Sequence, residues 1–454
     1  MADIILSATA FRADAQEPAP ADTIKMSADD IAVPQTTDVP DGWTFEECLN
    51  WALANNTDLQ RTKLNILLAR QDVLSAKDEW LPTVKFTTDQ NFVNYPTVES
   101  GRKANTYGSS YGIGAEWMVW EGNMRKYRTE SAKLVELQRA LAGEDVVKNL
   151  KIGILQAYLN IMYAQEAVKI AEQTLAISTA QTERIVRLAE SGRSSQVDYA
   201  QIESQRALDT YSLTQARTAY RTSVMALKRI LILGLSDTLS VAPVYFTEEE
   251  VLAPLPDMAE VFDQASLWLP QLRSNELART IYANDVKIAK ARALPTIKMQ
   301  GGVVTGYTSG GARSWAPTMG HNFNENVGVT LSVPLFDGNA SNRGVAKARL
   351  AELQYDLDRK ELLDHLSQTI ESLYIDAANA QARYEAGVKK RTAMLLTDEL
   401  VNNQFELGSA SLLDVLTAHN NLLNARLELL QSKFMAIMAL KTINYYATQE
   451  LELK

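Results

Sequence analysis

Two carboxylates in this 454-residue chain sit in the same local setting. Asp198 belongs to "LAESGRSSQVDY" (188–199) and Asp414 to "FELGSASLLDVL" (405–416). In each stretch a glycine precedes a serine by three residues and the aspartate by six, so Gly192, Ser195 and Asp198 recur 216 residues later as Gly408, Ser411 and Asp414. An acid that opens a helical run complements the positive end of the helix dipole. The other chemistry-bearing residues form no group. His321 falls in a predicted loop, and His365 and His419 fall on helices, with no Ser/His/Asp or Cys/His spacing that a nucleophile requires. Cys48, the one cysteine, reads as a buried helical thiol in "FEECLNWAL" and allows neither an intramolecular disulfide nor a zinc site. The glycines of "GGVVTGYTSGG" lack the Gly-Lys-Ser/Thr of a phosphate loop and read as turns. The sequence therefore offers no catalytic residue, cofactor site or metal site.

Those two stretches interrupt a chain that is otherwise patterned throughout. A formal charge of −10, with 45 basic against 55 acidic residues, argues against nucleic acid as a partner, because phosphate binding needs a concentrated basic face. No stretch approaches the ~20 consecutive apolar residues of a membrane helix, so a membrane-spanning role would fall to strands. Residues 1–42, rich in Ala, Asp and Pro, read as an extended or disordered leader, and "MADIILSATAFRADAQ" resembles the last part of a secretory signal ending in the small-x-small "ADA".

Beyond the leader the chain is a duplication. "DEWLPTVKF" at 78 matches "ARALPTIKM" at 291, an offset of 213, and "VWEGNMRKYRTESAKLVELQ" at 119 matches "LFDGNASNRGVAKARLAELQ" at 335, an offset of 216. The three added residues place a longer connection between the two matches in the second copy. Copy one runs over 43–235, a linker over 236–255, copy two over 256–447 and a tail over 448–454. Each copy opens with a capping signal, Thr44 with Glu47 and Asp257 with Glu260. A helix is then expected to run to Trp80 in copy one and Ala293 in copy two, where Leu-Pro stops it.

A strand pair follows in each copy, at about 83–120 and 296–336. In "ENVGVTLSVPLF" residues Val327, Val329, Leu331, Val333 and Leu335 share one face, and in "SYGIGAEWMVW" Tyr111, Ile113, Ala115, Trp117 and Val119 do. Polar, glycine-containing connections around "ESGRKANTY" and "TSGGARSWAPTMGHNF" join each pair. The period then changes. Leu150, Ile154, Ala157, Ile161, Ala164, Val168, Ala171 and Leu175 alternate spacings of four and three, the seam of a coiled coil. Copy two keeps the register with Leu363, Leu366, Ile370, Leu373, Ala377, Ala380 and Tyr384. The first such run, Asn123 to Ala189, would be about 100 Å long if continuous. Each long helix turns at a tip, 190–195 or 406–411, and returns.

Four strands cannot close a barrel, and open edges are not tolerated in lipid, so several chains must share one sheet. Heptads alone would equally suit a soluble coiled-coil scaffold, but such a scaffold has no use for two amphipathic strand pairs.

The repeated order of "LPT", strand pair, "PLFDGN" junction, long helix and Gly-centred tip followed by "LLDVL" resembles the TolC-like outer membrane efflux channels. The resemblance covers Trp43 to about Tyr446. It implies an α+β membrane protein in which a long coiled-coil α-helical barrel continues a β-barrel. Each chain would give four strands to a shared twelve-stranded barrel in a homotrimer. It also implies contact with outer membrane lipid, a long periplasmic extension, and partnership with a periplasmic adaptor (membrane fusion) protein and an inner membrane transporter. The export of small molecules or of proteins, in tripartite efflux or type I secretion, would follow.

By the same resemblance, Asp414, Thr417 and Asp198 are the residues of the channel constriction. Three symmetry-related Asp414 carboxylates would repel one another, favour cations and raise one another's pKa. Thr417 stands where some members carry a second aspartate. Gly192, Arg193, Ser195, Phe405, Gly408, Ser409, Ala410 and Ser411 make the periplasmic tips and their adaptor contacts. In latched members the acid at Asp198 pairs with a tyrosine and an arginine of the other tip. Here those positions are Phe405 and Ala410, with Arg193 the available substitute.

Overall fold

A computed structural model describes residues 42–97, 104–191, 194–309 and 314–453. Residues 1–41 of the leader, Gly192 and Arg193 lie outside the described residues, as do 98–103 and 310–313 of the strand-pair connections and Lys454. Copy one comprises α1 (Phe45–Asn55), α2 (Thr57–Asp78), β1 (Thr83–Asn94), β2 (Asn105–Trp120), α3 (Met124–Glu190) and α4 (Gln196–Leu231). After a short α5 (Glu248–Val251), copy two comprises α6 (Met258–Trp268), α7 (Pro270–Ala291), β3 (Thr296–Thr308), α8 (Trp315–His321), β4 (Asn324–Ser332), α9 (Ala340–Glu406) and α10 (Leu412–Thr448).

The opening helix of each copy is two helices rather than the one expected. In copy one the Asn56 side chain accepts the N–H groups of Asp58 (2.9 Å) and Leu59 (3.1 Å), starting α2 afresh. In copy two Pro270, which has no N–H to give, opens α7 at its first turn. Thr44 and Glu47 form the full reciprocal box, whereas Asp257 supplies only the forward half, accepting the Glu260 N–H at 3.1 Å. Two further differences lie in the second strand pair. The expected connection holds the short helix α8, which carries His321. β4 stops at Ser332, short of Phe336, because Pro334 cannot donate to a ladder.

The two long helices α3 and α9 have 67 residues each, about 100 Å at 1.5 Å per residue. Leu150, Ile154, Ala157, Ile161 and Ala164 of the α3 seam are buried, as are Leu366, Ile370, Ala377, Ala380 and Tyr384 of α9. Towards the tip the α3 seam continues in register as Ser178, Thr182 and Ile185, so it turns polar before ending apolar. Midway, matching anchors tie each copy together. Trp51 Nε1 donates to Leu231 O and Trp268 Nε1 to Tyr446 O, both at 3.0 Å. Tyr158 donates its hydroxyl to Ala242 O at 2.7 Å, and Tyr374 to Pro256 O at 2.8 Å. In each copy an aromatic side chain thus holds the far end of the returning helix, and a tyrosine of the long helix holds a connecting segment, Ala242 in the linker and Pro256 at the start of copy two.

The four strands form one antiparallel sheet in the order β1-β2-β3-β4, the central pairing β2 with β3 joining the two copies. β1 and β4 are its outer strands. The apolar side chains on β4 have no cover within the chain: Val327, Val329 and Leu331 are 78%, 68% and 63% exposed.

Strand passes to long helix through two consecutive left-handed residues in each copy, Gly122 (φ 63°) and Asn123 (68°), then Gly338 (65°) and Asn339 (64°). Asparagine is among the few non-glycine residues that tolerate this region. The two glycines differ in surroundings. A Cβ on Gly122 would lie 3.0 Å from Ala291 O and 3.1 Å from Leu294 Cβ, whereas one on Gly338 would meet nothing. Correspondingly Leu294 is 43% exposed and its repeat counterpart Leu81 is 63% exposed. Gly338→Ala is expected to cost the folded chain about 1 kcal/mol, the left-handed penalty alone. Gly122→Ala should cost clearly more, because contact with the second copy's backbone is added. Chemical denaturation of each single chain, before assembly, checks the ranking, and equal losses would refute it.

Candidate functional site at the helix tips

The two tips are built alike from the serine upward. Ser411 is the N-cap of α10. Its hydroxyl accepts the Asp414 N–H at 3.2 Å, and Asp414 Oδ2 in return accepts the Ser411 N–H at 2.9 Å and its O–H at 2.6 Å. Ser195 does the same for α4, with Asp198 Oδ2 taking its N–H (2.9 Å) and O–H (2.7 Å), and Ser194 adds a third donor at 3.1 Å. An aspartate thus fills the place that glutamate or glutamine takes in the usual reciprocal box. Gly408, at φ 73°, ends α9 in the left-handed conformation, and Ser409 donates its N–H (2.9 Å) and its hydroxyl (3.0 Å) to Gln404 O.

The cap holds both acids below the usual carboxylate range. For Asp414 the Ser411 hydroxyl and then its N–H lower it; for Asp198 the Ser195 N–H leads, then its hydroxyl. Within one chain, then, the cap outweighs the desolvation that raises Asp414, and the mutual repulsion expected of symmetry mates would act against that cap. Thr417 is exposed and donates its hydroxyl to Leu413 O at 2.8 Å.

The tip of copy two is fastened to copy one by contacts other than the latch, although one of them is made by Phe405 itself. Phe405 packs with Leu188 against a buried cluster of Ile185, Ile202, Leu412 and Leu416. The Arg184 guanidinium lies 5.8 Å from the Phe405 ring centroid and pairs with Glu406 at 3.0 Å. Asp198 bonds to its own serines, with no bond to Phe405 or Ala410. Further from the tip, Gln205 and Asn420 exchange two amide hydrogen bonds of 3.2 Å across the copies, and Gln205 also donates to buried Asp209 at 2.9 Å. Sequence reasoning missed Arg184 with Glu406 and Gln205 with Asn420, whose partners across the copies lie more than 200 residues away, and Asp209, which Gln205 holds within its own helix. The visible signal was the polar turn taken by the seam at Ser178 and Thr182. Among the described residues no group of His, Cys, Asp and Glu is placed to hold a metal, and no helix is long and apolar enough to cross a membrane.

The family model described as outer membrane efflux protein matches residues 48–231 and again 261–442. The chain belongs to that family. The two matches fall on the two copies, each from its opening helix to its returning helix. Outer membrane efflux protein BepC of Brucella suis is 22% identical over 399 residues, covering 87% of this chain and 83% of that protein. Cobalt-zinc-cadmium resistance protein CzcC of Cupriavidus metallidurans is 23% identical over 332 residues, covering 71% and 73%. Among solved structures, the outer membrane protein VceC of Vibrio cholerae superposes with a TM-score of 0.71 over 88% of this chain and 95% of that one, at 14% identity. The fold is that of an outer membrane channel, a helical barrel joined to a β-barrel, and this family member belongs in the outer membrane with its helices in the periplasm.

Because both acids are depressed when folded, their caps stabilise the tips fully above the unfolded aspartate pKa, about 3.9, and lose that effect as pH falls through the folded value. Ser411→Ala should therefore speed hydrogen exchange of the amides at 411–418 in the assembled protein. After correction for intrinsic rates, the difference from the parent should stay constant from about pH 7 to 5 and close only below about pH 4. A difference that varied across the upper range would show that the cap is not what the serine provides.

Proposed function

We propose that three copies of this chain close a twelve-stranded barrel in the outer membrane, continued by a helical tunnel through the periplasm. The assembly serves as the exit channel of a tripartite efflux system. The observation that carries this reading is the sheet: four strands with two open edges and an uncovered apolar row, which lipid tolerates only when other chains close the ring. Three chains give twelve strands, and the 67-residue helices supply a tunnel wall of matching repeat. A periplasmic adaptor and an inner membrane transporter complete the route, meeting the chain at Gly192, Arg193, Ser195, Phe405, Gly408, Ser409, Ala410 and Ser411.

The cargo is small. CzcC, whose name ties it to cobalt, zinc and cadmium resistance, is one relative, and an acidic constriction suits the passage of cations. Asp414, exposed at the first turn of α10, provides that ring, with Thr417 one turn on and Asp198 on the neighbouring tip.

Asp414→Asn is expected to lower cation preference and weaken block by multivalent cations in single-channel recordings. Unchanged selectivity would remove Asp414 from the pore lining. Photocrosslinkers at Ser409 and Ala410 in living cells should capture an adaptor and its transporter; recovery of cytosolic proteins alone would sink the reading.

A further inference from the structure

The seam between the copies carries a buried polar layer just above the tips. Ser178 and Thr182 of α3, Gln205 and Asp209 of α4 and His419 of α10 are all more than nine-tenths buried. On the tip side they are sealed by Ile185, Ile202, Leu412 and Leu416. Buried polar groups ordinarily have partners, yet His419 Nε2, Asp209 Oδ2 and Asp398 Oδ1 have none. Asp398 stands ten residues before Gly408 and His419 eleven after it, so the two oppose each other across the α9–α10 hairpin. Lys390 and Glu428 oppose each other in the same way farther along, where they pair at 2.6 Å. Burial raises the Asp398 carboxyl, while His419 first and Arg426 second pull it down.

The duplication gives a built-in comparison. Moving back 216 residues, Asp398 becomes Thr182, which donates to Ser178 O, and His419 becomes Glu203, which pairs with Arg206 on an exposed face. An imidazole opposed to a carboxylate across the hairpin, the two unpartnered at Nε2 and Oδ1, is thus present in copy two alone. Of the chain's three histidines, His321 and His365 are exposed and only His419 is buried.

We propose that His419 is a proton-operated release for the tips: uncharged it fills the seam between Leu416 and Leu422, and on protonation it turns to Asp398 and leaves that seam open. Protonation adds both a charge and a second N–H donor, and a buried charge is tolerated only with a counter-charge and hydrogen bonds. The charged groups on the four helices here are few. α3 offers Arg184, already paired with Glu406 of α9, and α10 itself offers Arg426 and the capped Asp414. α4 offers Asp209, whose Oδ1 is held by Gln205, besides the outward Glu203–Arg206 pair. Asp398 is the carboxylate level with His419 in its own hairpin. Turning to it strips the imidazole from the layer that α3 and α4 share with α10, next to the Gln205–Asn420 bonds that hold the copies together.

The consequence for conduction rests on the reading of the tips as the constriction, so two readouts are needed. Spin labels on Val197→Cys and Leu413→Cys, both exposed beside the tips, report separation of α4 from α10 in the assembled protein, and buried Cys48 does not label. Lowering pH from about 7.5 to about 5.5, the range of imidazole titration, should lengthen that distance and raise single-channel conductance about twofold or more. Asp198 and Asp414, held low by their caps, stay ionised throughout. His419→Gln should abolish both responses, His321→Gln and His365→Gln should keep them, and Asp398→Asn should move the transition to lower pH. An unchanged response in His419→Gln, or a parent whose distance ignores pH, overturns the proposal. A distance that responds through His419 while conductance stays flat upholds it and rejects the constriction reading instead.

Discussion

Unpaired backbone at the edge of a sheet is the constraint on which the rest of this structure depends. Water can satisfy the free N–H and C=O groups of an edge strand; hydrocarbon cannot, and each group left open there costs several kcal/mol. A chain with four strands therefore cannot keep them in the membrane by itself. The duplication meets that constraint with economy: each copy brings one hairpin, and β2 against β3 fuses the two into a single sheet whose ends are left for neighbours. The helices inherit the same arithmetic, because a tunnel wall continuous with the barrel must be laid down in the same repeat.

What holds one copy also holds the other, except where the copies must differ. The tryptophan and tyrosine anchors at mid-height recur, as do the Ser-Asp caps at the tips. The backbone junction between strand and long helix recurs too, but what packs around it does not. In copy one Arg125 is buried there, donating to Glu79 O and Val119 O and lying 4.6 Å from the Trp80 ring. The position 216 residues on is Ser341, which is half-buried and follows a run, 331–340, that is exposed throughout.

Much of this was legible in the sequence, for a physical reason. Alternation in "ENVGVTLSVPLF", the three-and-four spacing from Leu150 and the Leu-Pro stops are local signals, each set by the geometry of one element, and duplication printed each of them twice. The break at Asn56 was missed because a single side-chain cap inside a helical pattern leaves the hydrophobic period nearly intact. The helix Trp315–His321 was missed because its glycine, proline and threonine read as a connection. At the tips the acids and glycines stood out by their recurrence. Arg184 with Glu406, and Gln205 with Asn420, did not, since a polar residue on a long helix gives no sign of a partner two hundred residues away.

The unlike surroundings of Gly122 and Gly338 carry a consequence for how copies of the chain meet. The first junction already rests on the Ala291–Leu294 corner of the same chain, while the space beside Gly338 is open and the Leu81 side chain is exposed. Were the bare second junction of one chain to take the Leu81 corner of the next, the contact would be head-to-tail rather than self-complementary. Head-to-tail growth has no natural end unless the turn per subunit divides the circle. The curvature of the sheet and of the helix pairs therefore decides whether such chains form a closed ring or an endless filament, and a substitution that changed the turn without weakening the contact would trade one for the other.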